Sequence, residues 1–127
     1  MEWRTEEDAL GKVKVPKGAY FGSHTARGIE NFPISGVKQQ AEFIRAYAVV
    51  KEAAALANMR LGFLGKRKGQ AIVRVAREVR AGKHGKEFVL DIFQAGAGTS
   101  TNMNLNEVIA NRAEEILGGR KGQYRVV

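Results

Sequence analysis

Cysteine is absent from the 127 residues, which excludes a disulfide scaffold, a thiolate nucleophile and thiolate-bound zinc, and fits a reducing compartment. Only two histidines are present. With no cysteine beside them they form no metal-binding spacing, so no metal site is expected. No apolar run approaches the ~20 residues a membrane helix needs. The start, Met1-Glu2-Trp3-Arg4-Thr5-Glu6-Glu7-Asp8, is polar and unlike a signal peptide. The expected address is cytoplasmic, with no membrane partner. Internal repeats and low-complexity tracts are also missing, which leaves no solenoid or linker to consider.

Acids are scarce relative to bases: 13 Asp and Glu against 21 Lys and Arg give a formal charge of +8 and a pI near 10.1. Such a balance suits a protein that meets a polyanion. Eight of the cations, Lys66, Arg67, Lys68, Arg74, Arg77, Arg80, Lys83 and Lys86, fall between residues 66 and 86. That stretch carries none of the stacking rings that single-stranded nucleic-acid binders interleave with their cations. It is read as a solvated helix face, and a basic nucleic-acid-binding module is kept as the alternative from a different class. A length of 127 residues holds one domain. Apolar residues at 44% and charged residues at 27% are those of a globular chain.

From Met1 to about Pro33 the pattern is irregular, punctuated by glycines at 11, 18, 22 and 28 and prolines at 16 and 33. It predicts an extended arm of turns and short strands. Val13-Lys14-Val15 alternates like a strand, and Pro16 confines it to an edge. A long helix is predicted from Ser35-Gly36 to about Leu64, with Phe43, Ile44, Tyr47, Val50, Ala54, Ala57 and Leu61 at three- and four-residue steps. It is apolar on several sides, as in a bundle centre or an assembly. A second, amphipathic helix is predicted over Gln70 to Ala81, stopped by Gly82. Phe88 to Phe93 fits a strand or a buried helical turn equally well. A third helix carries Val108, Ile109, Ala113, Ile116 and Leu117 and ends at Gly118-Gly119. The final Tyr124-Arg125-Val126-Val127 is apolar and strand-prone, which suggests that the natural protein continues.

Chemistry is most legible in Gln94-Ala95-Gly96-Ala97-Gly98-Thr99-Ser100-Thr101-Asn102. Glycines here precede hydroxyl and amide side chains at a helix start. Backbone N–H groups together with Thr99, Ser100, Thr101 and Asn102 can form an uncharged cradle for a carboxylate or phosphate. The same residue types are also ordinary N-caps, and composition alone favours that reading over the cradle. A Walker loop is excluded, because Thr99 stands where its Lys would be.

The order of residues 96 to 113, Gly-Ala-Gly-Thr-Ser-Thr-Asn-Met-Asn-Leu-Asn-Glu-Val-Ile-Ala-Asn-Arg-Ala, resembles the first signature block of the fumarase/aspartase superfamily. Asp8 to Gly11, Val15-Pro16, Tyr20 to Arg27, Glu30 to Gly36 and Val50 to Ala55 also resemble that family's N-terminal region, in the same order. The resemblance implies a mainly α, small helical N-terminal lyase domain. In it, residues 1–35 form the arm and 36–127 a helical core carrying the signature loop 94–104. The family's central helical bundle would follow.

The implied activity is reversible elimination from a dicarboxylate. Thr99 would hydrogen-bond a substrate carboxylate, Ser100, Thr101 and Asn102 would line the cradle, and Gly98 would allow close approach. Arg27 is a further candidate for a carboxylate. His24, Glu107, Asn111 and Asp91 are read as structural. The general base and a mobile serine loop belong to later parts of the family's sequence, so no catalytic residue is expected in this stretch, and a homotetramer is expected of the whole protein. No cofactor is implied. Phe93, Ala97 and Ser100, with His24-Thr25-Ala26-Arg27, look more like aspartase than fumarase, so the expected substrate is L-aspartate and fumarate hydratase is the alternative.

Overall fold

A computed structural model describes residues 1–127. The architecture is mainly α. Strands β1 (Trp3–Asp8) and β2 (Gly11–Pro16) form an antiparallel hairpin, followed by helices α1 (Ser23–Asn31), α2 (Ala41–Arg60), α3 (Lys66–Arg80) and α4 (Thr99–Ile116). Helices α2, α3 and α4 pack around one core of Ile44, Ala48, Val75, Val79, Leu105, Val108 and Ala113. The hairpin and α1 lie against the α4 side of it. No helix is long and apolar enough to cross a membrane.

The three long helices follow the apolar periodicity, and each ends in the same way. Gly62, Gly82 and Gly118 take left-handed φ values of 78°, 89° and 88°. The next residue's N–H reaches back to a carbonyl in the last helical turn: Phe63 to Asn58, Lys83 to Glu78 and Gly119 to Glu114. This is the Schellman closure, which satisfies orphan carbonyls and reverses the chain.

The starts differ from expectation. Helix α2 begins at Ala41 rather than after Gly36, because the 32–40 segment is tied to Asp91. That carboxylate accepts from Ser35 N–H (2.7 Å), Ser35 Oγ (2.8 Å), Gly36 N–H (2.7 Å) and Phe93 N–H (2.8 Å). Lys38 also bridges to Asp91 as an isolated antiparallel pair. The undecided 88–93 segment is neither a strand nor a helical turn: Phe88 and Leu90 are buried, Asp91 makes a single bridge, and the chain bends at Ile92 and Phe93. Helix α3 starts at Lys66, four residues before the predicted Gln70, so its first turn is Lys66-Arg67-Lys68.

The arm is more regular than predicted. Val13–Val15 does form a strand, but it pairs with β1, whose inward positions are the charged Arg4, Glu6 and Asp8. Arg4 donates to the carbonyls of Pro16 (2.9 Å), Ala19 (2.7 Å) and Phe21 (2.8 Å) and to Glu6, binding the 16–21 turn to the hairpin. Helix α1 lacks a side-chain cap of its own. Its first amides are satisfied from elsewhere: Ser23 N–H by Glu6, and His24 N–H, Thr25 N–H and Thr25 Oγ1 by Glu107 on α4. Gly22 makes room for this, since a Cβ there would overlap the Glu107 carboxylate and the Tyr124 hydroxyl.

Two outcomes follow from these anchors. Replacing Glu107 by Ala strands three buried donors, each costing roughly 1–3 kcal/mol when unpaired. A destabilisation of about 3 kcal/mol or more is expected in urea unfolding of the chain. The second outcome concerns acid. Burial raises the Asp91 carboxyl, but the donors from Phe93, Ser35 and Gly36 outweigh it and hold the group at about 2, below its ordinary 3.8. A depressed folded-state value means that this stabilisation is complete above the ordinary value and is lost as pH falls from about 4 through about 2. Thermal midpoints of Asp91→Asn should therefore vary less than those of the parent chain across that window.

Candidate functional site

The signature loop enters α4 through Gly98, whose φ of 77° places it in the left-handed region and which, as N-cap, offers no side chain to the helix. Gln94 braces the turn from both sides: its amide donates to Asp91 O (2.9 Å), and its Oε1 accepts from Thr101 N–H (2.8 Å). Gly98 N–H bonds Ala95 O, and Asn102 N–H closes the first helical turn on Gly98 O. The amides of Thr99 and Ser100 are left without a partner at the positive end of the helix dipole. N-capping by Thr99, Ser100 or Thr101, the competing reading of these residues, does not occur.

Of the predicted lining, Gly98 and Thr99 are exposed and Asn102 is partly so, whereas Ser100 and Thr101 are buried at 4% and 5% exposure. Within this chain the open surface of the turn is thus Gly98 and Thr99, with part of Asn102. Arg27 is not brought to it. Its guanidinium forks onto Asp8 at 2.9 Å through both Nε and Nη2, and Nη2 also reaches Gly11 O, stapling α1 to the hairpin. This pairing lowers the Asp8 carboxyl and raises Arg27. His24 lies at the start of α1, engaged by its backbone N–H with Glu107.

Two residues were missed. Tyr47 and Lys51, one turn apart on α2, both donate to Asn102 Oδ1, at 3.1 Å and 2.6 Å. Lys51 also lies 5.4 Å from the Tyr47 ring centroid. Burial pulls the Lys51 ammonium's pKa down. The i, i+4 spacing was the available signal, but Tyr47 read as a core position and Lys51 as one more cation.

The turn is rich in donors and has no base. Asp91, the nearest carboxylate in sequence, is saturated by four donors. Glu107 is buried and spent on α1. The arrangement can hold an anion and stabilise added negative charge, but it does not abstract a proton. No group of three or more His, Asp or Glu side chains is placed to hold a metal ion. The basic stretch is partly neutralised: Arg77 and Arg80 meet Glu52 at 2.7 and 3.0 Å, and Arg74 approaches Glu78 at 3.6 Å.

Comparison with known proteins places this geometry. The family model described as lyase matches residues 11–126. Fumarate hydratase class II of Halobacterium salinarum is 55% identical over 126 residues, covering 99% of this chain and 27% of the relative. Aspartate ammonia-lyase of a Bacillus species is 53% identical over 121 residues, 95% of this chain and 26% of the relative. The crystal structure of fumarate lyase:delta crystallin from Brucella melitensis superposes with a TM-score of 0.96 at 47% identity, over 99% of this chain and 30% of that one. The chain spans about a quarter of the length of these curated relatives. With its family signature at the mouth of α4 and its whole fold shared, the chain belongs to the fumarase/aspartase lyase superfamily, whose helical N-terminal domain it forms.

Proposed function

We propose that the chain supplies one substrate-binding wall of a lyase that reversibly eliminates ammonia from L-aspartate to give fumarate. The observation that carries this reading is the start of α4, where Thr99 is exposed and the Thr99 and Ser100 amides have no acceptor within the chain. In such an elimination a base removes the proton on the carbon beside a carboxylate. The electrons left behind spread into that carboxylate, making a doubly charged aci form. Donors fixed around its oxygens gain more from the extra charge than from the ground state, and only that difference accelerates the reaction. Thr99 and its neighbouring amides are held by Gln94 and Gly98 before any ligand arrives, so little reorganisation is needed.

The base, the second carboxylate's partners and the leaving-group contacts come, on this reading, from the rest of the protein and from other subunits of a homotetramer. Ser100 and Thr101 support the turn from its buried side, with Gly98 and Asn102 beside the anion. Arg27 acts on the wall only through the hairpin it holds. Ammonia is preferred as the leaving group on Phe93, Ala97 and Ser100, the aspartase-like version of the loop. Loss of water from malate is the second reading, favoured by the 55% identity to a fumarate hydratase class II. A nucleic-acid role is disfavoured by the carboxylates that take up Arg77 and Arg80.

The complete protein, offered aspartate, malate and argininosuccinate separately, should release fumarate from aspartate, read by ultraviolet absorbance. Release from malate alone would transfer the assignment to fumarate hydratase, and release from none would end the lyase reading. In the same assay Thr99→Ala should lower kcat/KM by a factor on the order of 10²–10³, the usual cost of one oxyanion donor.

A further inference from the structure

We propose that Lys51 is the fixed positive charge of this wall: its ammonium meets a substrate carboxylate and, by holding Asn102, aims that residue's amide N–H groups at the same anion. The inference rests on the reading of the Thr99 turn as a substrate wall and adds to it the charge that the turn itself lacks.

Lys51 is half-buried, and its only hydrogen-bond partner is Asn102 Oδ1 at 2.6 Å. No carboxylate lies within ion-pair distance of it, whereas the next residue, Glu52, takes two arginines on the α3 side of the same helix. Burial lowers its pKa, and no neighbouring charge opposes that. A partly desolvated ammonium without a counter-ion is costly to keep and is normally paired. An arriving carboxylate supplies the missing partner.

The amide geometry points the same way. Lysine has no acceptor, so the Asn102 atom facing it must be the oxygen. Tyr47 O–H donates to that same oxygen. The nitrogen is therefore turned away from α2, and it donates to nothing within the chain. Asn102 stands three residues after Thr99, one turn along the same face of α4. Through Asn102 the Lys51 ammonium is thus joined to the turn that carries Thr99. Lys51 is also open on its other side, where it borders a mostly apolar cleft of about 240 Å³ that reaches neither Thr99 nor Asn102.

A cation beside neutral donors selects for a charged carboxylate over an amide or ester. The test is steady-state kinetics of the complete enzyme carrying Lys51→Met, Lys51→Gln or Lys51→Arg, with Thr99→Ala in parallel and succinate as a dianionic competitor. Loss of the charge should raise KM and the succinate inhibition constant about ten- to a hundredfold, the worth of one hydrogen bond to a charged group. Effects on kcat should be smaller, and Lys51→Arg should recover most of the loss. Thermal midpoints of Lys51→Met should be unchanged or higher, since an unpaired buried charge is removed; a purely structural lysine would lower them.

An unchanged KM and succinate constant in Lys51→Gln, or a loss that Lys51→Arg does not restore accompanied by a lower midpoint, overturns the proposal. If Thr99→Ala is impaired while the Lys51 variants are not, this inference alone fails. If Thr99→Ala is also unaffected, the wall reading fails with it.

Discussion

Much of this structure depends on one constraint: the amides that open α1 are buried and cannot be left without acceptors. The chain meets it with a carboxylate delivered from 82 residues away, Glu107, which accepts from Thr25 N–H and Oγ1 and from His24 N–H. Burial pushes that carboxyl's pKa up, and the hydrogen bonds from Thr25 and His24 oppose it. Such a group is stabilising only while its donors stay in register. Asn104, Asn111 and Glu114 extend the pattern along the same face of α4. Asn104 donates to Glu87 O, Asn111 to Tyr20 O, and Glu114 accepts the backbone N–H groups of Arg125, Val126 and Val127. A buried polar stripe on one helix thus reads the backbone of both the arm and the tail.

That stripe holds α4 in place although its N-cap, Gly98, has no side chain and Gln94 meets only the Thr101 amide. The helix is fixed along its length by polar contacts on one side and by Leu105, Val108, Ile109 and Ala113 on the other. Its first turn does not need a local cap to stay in place. The free amides and Thr99 are held rigid by packing elsewhere, which is what preorganised donors require. Helix α2 serves two neighbours at once. Lys51 faces Asn102 on α4, and Glu52 faces Arg77 and Arg80 on α3, so the orientation of Lys51 is tied to an ion-pair cluster on the adjoining side.

How much of this was legible in the sequence depended on whether a residue's partner was near or far along the chain. The three long helices and their ends were readable because apolar period and glycine stops are local signals; Gly62, Gly82 and Gly118 stop their helices as their positions suggest. The Thr99 turn was readable for the same reason. Strand β1 was not, because its inward face is Arg4, Glu6 and Asp8, and alternation of charge carries no hydrophobic signature. Helix α1 was hidden because its caps come from Glu6 and Glu107 rather than from itself. The first turn of α3, three cations at the positive end of the helix dipole, runs against the usual charge preference, and the predicted helix starts only at Gln70. Arg27 read as a candidate ligand for a carboxylate because nothing local showed that Asp8 already occupied its fork.

The same donor-rich surroundings also bear on where a base can sit. Asp91 shows what happens to a carboxylate fixed beside this loop: despite burial, N–H and O–H donors bring it to about 2. A general base with so low a value is almost fully ionised yet binds a proton too weakly to help remove one from carbon near neutrality. Donors that suit a substrate carboxylate, by stabilising negative charge, weaken any protein base placed among them. A site that must both stabilise an aci-carboxylate and abstract a proton therefore gains by keeping the two tasks on separate walls. The Thr99 turn, with hydroxyl and amide donors and no free base beside it, has the chemistry for the first task and not for the second.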